Sequence, residues 1–167
     1  SPHFQPRQSN HLSVTQPLLA DLELDGQPEL VLTVVDTTTD DPHILSLPLG
    51  SNTPTENWDV TLERGTHPSD PAWAQLDGQN SVVLATTIDE NSGNMWVWRI
   101  DGITGSNDLG LVPLSGTDTD SDAPRLRLPS PVVAQLDSDA APEMILTIPT
   151  DANGRTVGLG ARFVGME

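Results

Sequence analysis

Pro17-Leu18-Leu19-Ala20-Asp21-Leu22, Pro71-Ala72-Trp73-Ala74-Gln75-Leu76 and Pro131-Val132-Val133-Ala134-Gln135-Leu136 are one pattern written three times. Each copy passes through a polar turn into an apolar run: Glu29-Leu30-Val31-Leu32-Thr33, Ser81-Val82-Val83-Leu84-Ala85-Thr86 and Glu143-Met144-Ile145-Leu146-Thr147. A second polar turn then opens, at Asp36, Asp89 and Asp151. Self-similarity at a period of ~55–60 residues marks a repeat architecture, in which a unit buries its apolar face against its neighbour.

The units read as strands. Short runs of Val, Ile, Leu, Thr and Trp are bounded by Gly, Pro, Asn and Asp, and none keeps a helical i, i+3, i+4 spacing for three turns. Strands are predicted near 17–22, 29–35, 43–49 and 58–63, then near 72–76, 81–88, 95–100 and 109–114, with 125–128 as an extra edge. The last unit offers 131–136, 143–149 and 157–164. The expected fold is therefore all-β, with about three four-stranded antiparallel propeller-type blades. The units span 17–70, 71–130 and 131–167, the last one strand short, after an N-terminal arm at 1–16. His11-Leu12-Ser13-Val14-Thr15 precedes Pro17 much as Trp58-Asp59-Val60-Thr61-Leu62 precedes Pro71. It reads as the fourth strand of another blade, able to complete the third unit, or a neighbouring copy, by strand exchange.

Composition narrows the function. The chain has 167 residues, 24 Asp and Glu against 7 basic residues, all Arg, and a formal net charge of −17. Phosphate-backbone recognition needs clustered cations, so nucleic-acid binding is not expected, and no apolar run is long enough for membrane insertion. Self-repulsion at this charge is offset by salt or bound cations, which suits a saline or calcium-bearing extracellular medium. Ser1-Pro2-His3-Phe4 carries neither a start Met nor a signal pattern and reads as a processed or partial piece of a secreted precursor. Cysteine is absent, which removes disulfides and thiolate metal sites.

The acidic turns carry the candidate chemistry. In Asp21-Leu22-Glu23-Leu24-Asp25-Gly26-Gln27-Pro28-Glu29, carboxylates stand at positions 1, 3, 5 and 9. Alternate oxygens converge when the backbone curls, which Gly26 permits, and Gln27 offers a backbone carbonyl at position 7. An all-oxygen set suits Ca2+, which tolerates irregular shells better than Mg2+ does. The third unit repeats the spacing with Gln135, Asp137, Asp139 and Glu143, and with Ala141 at position 7. Gln135 lends no charge and Ala140 replaces the glycine, so a weaker site is expected. In the second unit the turn is shortened to Gln75-Leu76-Asp77-Gly78-Gln79-Asn80, and that site reads as lost.

Asp21 to Leu30 resembles the FG-GAP/VCBS family of calcium-loop repeats, whose pattern runs D-x-[DN]-x-D-G-x-x-[DE]-[LIV], with Glu23 as the one departure. Val97-Trp98-Arg99-Ile100-Asp101-Gly102-Ile103-Thr104-Gly105 is similar to the strand-plus-turn ending of such blades. The resemblance implies propeller blades and structural calcium in extracellular or cell-surface proteins, and no activity.

The histidines His3, His11, His43 and His67 have no Ser or Cys nucleophile motif beside them, and a non-enzymatic module is expected. The expected role is a structural or adhesive scaffold binding proteins or glycans. The alternatives are a filament subunit joined by N-terminal strand donation, and the accessory propeller of a secreted carbohydrate-active enzyme. Trp58, Trp73, Trp96 and Trp98 are read as packing between blades or, less simply, as a glycan-stacking platform. The runs 36–41 and 117–122 read as solvated loops.

Overall fold

A computed structural model describes residues 12–36, 41–50, 55–75, 81–89, 94–112, 130–134, 143–148 and 157–162. The described residues form three antiparallel sheets and no helix. The first contains β1 (Leu12–Val14), β2 (Leu18–Ala20), β3 (Glu29–Asp36), β4 (Asp41–Pro48) and β5 (Trp58–Thr61). The second is the meander β6 (Ala72–Gln75), β7 (Ser81–Asp89), β8 (Asn94–Asp101) and β9 (Asn107–Val112). The third is β10 (Val132–Ala134), β11 (Glu143–Ile148) and β12 (Val157–Arg162). The segment 125–128 lies outside the described residues.

One expectation is corrected. Leu12–Val14 does not serve as a fourth strand for the third sheet; it pairs with Val34–Asp36 on β3, along the same edge that β2 occupies at Glu29–Val31. β1 and β2 are two halves of one first strand, interrupted around Pro17, which has no amide hydrogen to donate to the ladder. Thr15 N still bonds Thr33 O at 3.0 Å across the interruption. The second sheet repeats the device before Pro71: Thr66 bridges Ile88, and Ser69 N bonds Thr86 O at 2.8 Å. The true counterpart of Leu12–Thr15 is thus the segment around Thr66–Ser69, and Trp58–Thr61 instead pairs with β4.

The sheets stack face to face. Side chains alternate across a strand, so the two faces can be read from the buried clusters. One cluster joins Ala20, Val31, Ile44, Trp58 and Val60 of the first sheet to Val83, Ala85, Trp98 and Ile100 of the second. Another joins Ala74, Val82, Leu84, Met95 and Val97 of the second sheet to Met144 and Leu146 of the third. The second sheet is therefore covered on both faces, which is why β7 is a continuous apolar and Thr run buried from Ser81 to Thr87. β3 buries Glu29, Val31 and Thr33 towards the second sheet and leaves Leu30, Leu32 and Val34 half-buried on the other face. The sheets approach most closely along their first strands, β2 against β6 and β6 against β10.

Thr33 and Thr86 occupy equivalent places in this stack, both fully buried with hydroxyls that find no hydrogen-bond partner. A buried hydroxyl without a partner costs about 1–3 kcal/mol. Thr33→Val, which keeps the shape, is expected to raise the melting temperature by roughly 2–4 °C per kcal/mol recovered, measured by calorimetry.

Candidate functional site

The Asp21–Glu29 loop leaves β2 and returns as β3. Its backbone curls through two left-handed residues, Leu24 at φ 56° and Gly26 at φ 87°. Gly26 adopts this conformation without steric cost, whereas at Leu24 it is strained. The curl is held by carboxylates: Asp21 accepts from Asp25 N at 3.0 Å and Gly26 N at 2.8 Å, and Asp25 accepts from Gln27 N at 2.8 Å. The turn expected at Gly26 is present, but among the described residues no three acidic or histidine side chains converge on one point. Asp21 and Asp25 face loop amides, and Glu29 reaches inward to accept from Leu22 N at 2.7 Å.

Glu29 is 5 % exposed. Burial is the main cause of its raised pKa, opposed by the Leu22 amide and reinforced by the negative charges of Glu23, Asp21 and Asp25. A carboxyl whose folded pKa lies above its unfolded value favours folding at low pH, and the advantage is lost as pH rises through the folded value. The fold thus resists ionisation of Glu29, and a cation beside the carboxyl would offset that resistance.

Leu22 fastens this loop to the second sheet. Its side chain is fully buried, its N–H goes to Glu29, and its carbonyl accepts from Ser81 Oγ on β7. Ser81 aligns with Glu29 and Glu143 in the sequence pattern, but the ladder puts Val82 in their place, opposite Ala74, and turns Ser81 to the other face, towards Leu22. The turn after β8 closes the junction. Gly102 N bonds Ser81 O at 2.9 Å, and Gly102 O accepts from Trp58 Nε1 at 2.8 Å.

That turn is built by Asp101, whose Oδ1 accepts from Ile103 N at 3.1 Å, Thr104 N at 2.7 Å and Thr104 Oγ1 at 2.8 Å. Burial would raise the Asp101 pKa, but the hydrogen bonds from Thr104 and Ile103 and the charge of Arg99 outweigh it, and the net shift is downwards. Stability from this group is present above the unfolded value near 3.8 and is lost as pH falls through the lower folded value. Asp101→Asn is accordingly expected to destabilise at pH 7, with the gap from wild type closing in urea melts taken progressively below pH 4.

Gln27 lies exposed in the loop, and Glu23 lies at its rim. In the third unit Glu143 is buried at the start of β11, whereas Gln135, Asp137, Asp139 and Ala141 lie outside the described residues, as do Asp77–Asn80. Trp58, Trp96 and Trp98 pack between the first and second sheets. Trp96 and Trp98 share a face, as their spacing requires, and only Trp73 reaches 36 % exposure. Arg64 stands 5.9 Å over the Trp96 ring, and Trp98 Nε1 donates to Thr87 Oγ1 at 2.9 Å. These partners fix the rings in the inter-sheet core, so they form no exposed glycan platform. His43 Nδ1 lies 3.0 Å from Asp59 Oδ1, while His3 and His11 lie outside the described residues.

What sequence reasoning missed is the clamp of Leu22, Ser81, Gly102 and Trp58. Its one visible signal was the Asp101-Gly102 turn. No family profile, curated protein or solved structure matches this chain.

Proposed function

We propose that the chain is a calcium-stabilised extracellular repeat module, a non-catalytic scaffold of propeller-type blades that binds protein partners or glycans through its loops. The observation that carries the calcium reading is the Asp21–Glu29 loop itself. Its backbone is curled through Leu24 and Gly26, and Glu29 is buried within the field of three other carboxylates. Every donor is oxygen, which matches a hard dication. A carboxylate oxygen has two lone pairs, so Asp21 can hold the Asp25 and Gly26 amides and still face an ion. Binding then requires the side chains of Asp21, Glu23, Asp25 and Glu29 to swing towards a common centre, with the Gln27 carbonyl beside them. The ion neutralises Glu29 and tightens the loop that Leu22 fastens to Ser81. The third loop, Gln135 to Glu143, is a weaker second site on the same spacing.

The blade reading rests on the antiparallel meanders, on their face-to-face stacking, and on the approach of β2, β6 and β10. Blades ranked about an axis meet along their inner strands in this manner. The extracellular setting is part of the same proposal, since a loop of about 10⁻⁴–10⁻³ M affinity, the range of extracellular calcium modules, would fill where calcium is millimolar.

Thermal melts test the proposal. At calcium tenfold above the dissociation constant each site adds about 1.4 kcal/mol, a rise of roughly 3–6 °C that EGTA reverses. Glu29→Gln should lose most of that rise, yet in EGTA it should melt close to wild type, because its amide oxygen can still accept from Leu22 N. A variant that responds to calcium as fully as wild type removes this loop as the site.

A further inference from the structure

Among the described residues, one face of the first sheet and one face of the third meet no further sheet, and the repeat says what fits them. Leu18 opposite Val31 is directed from the first sheet into the second. Ala72 opposite Leu84 is the same couple one unit on, directed from the second sheet into the third. Val132 opposite Ile145 is that couple again, but it points away from the stack, and Val132 is 52 % exposed. The complementary series runs the other way. Val133 opposite Met144 packs back onto the second sheet, whereas its counterpart in the first sheet, Leu19 opposite Leu30, meets no sheet among the described residues, and Leu19 is 61 % exposed. The first sheet's outer face continues through half-buried Leu32 and through Val34 beside the exposed Val14, whereas Leu45, opposite Leu32, is already buried within the chain.

The two unsatisfied faces are thus the two mates of an interface that the chain already makes twice. We infer that copies of this chain associate head to tail, the outer face of the first sheet of one copy seating on the outer face of the third sheet of the next. The contact is heterologous, so it propagates into a ring or a filament according to its rotation. It needs no strand donation, which agrees with β1 being paired within its own sheet. The net charge of −17 opposes association, so added salt should strengthen it by screening.

Leu19→Glu and Val132→Glu test this, since both positions are surface-exposed and one lies on each face. Wild type should grow in mass with concentration in analytical ultracentrifugation, more so at high salt. Either variant alone should stay monomeric, with a wild-type circular dichroism spectrum. Mixed, the two should form a 1:1 heterodimer and nothing larger, because each keeps the one face the other lacks. Self-association of Val132→Glu would mean that first-sheet faces pair with each other, and a wild type monomeric at all concentrations would mean that the faces are covered otherwise. Either result overturns the inference.

Discussion

Trp58→Ala is expected to lower the unfolding free energy by about 3–5 kcal/mol, the range for deleting a buried Trp side chain. Trp58 opens β5 at 7 % exposure and does three things at once. It fills the core between the first and second sheets, it donates through Nε1 to Gly102 O, and its Cβ and ring form the wall against which Gly105 is moulded. A Cβ on Gly105 would stand 2.7 Å from Trp58 Cβ, and the glycine's φ of 70° is left-handed, so the turn and the ring are matched surfaces. Trp58→Phe keeps an aromatic ring in the core but loses the indole's N–H and its hydrogen bond, and should cost about 1–2 kcal/mol. Urea melts of both variants should remain single transitions, because position 58 lies in a core shared by both sheets. A cost below about 1 kcal/mol for the Ala variant would mean that these two sheets do not pack through Trp58.

Gly102→Ala is the second large effect, at about 2–4 kcal/mol, from overpacking together with a lost buried hydrogen bond. The added methyl would overlap Ser81 Oγ and stand 3.1 Å from Ser81 O and 3.3 Å from Leu22 Cβ. Ser81 could rotate away only by abandoning the Leu22 carbonyl, which would leave that buried oxygen unsatisfied. The substitution therefore reaches the acidic loop through Leu22, and it should also weaken any stabilisation by calcium. Pairing it with Ser81→Ala separates the two contributions. The double variant should cost less than the sum of the singles, since the methyl then meets open space where the hydroxyl stood.

Much of this fold was legible because strands are local. Turn residues bracket β3, β7 and β11, and the predicted apolar runs that fall on described residues are strands within a few residues of their expected bounds. Pairing between segments was less legible. Pro17 looked like the beginning of a strand, yet it interrupts one, because Thr15 resumes the ladder with Thr33 on its far side. The runs opening at Glu29 and Ser81 also align by sequence, but the ladders pair Ala20 with Glu29 and Ala74 with Val82. The shortened second turn shifts the partner by one residue, and a shift of one exchanges the faces of a strand.

In the loop, the turn at Gly26 followed from its residue type, as glycine alone enters left-handed backbone freely. The bend at Leu24 did not follow, nor did the inward reach of Glu29 to Leu22 N, which depends on the second sheet covering that face. The clamp joins Leu22 and Trp58 of the first unit to Ser81 and Gly102 of the second, and no spacing within one repeat encodes it.

Calorimetric titration of calcium into the chain is the most direct measurement. A dissociation constant of about 10⁻⁴–10⁻³ M for the first loop is expected, with the heat of that site abolished by Asp21→Asn combined with Glu29→Gln. No heat up to tens of millimolar calcium, or an isotherm that the double variant leaves unchanged, would contradict the account.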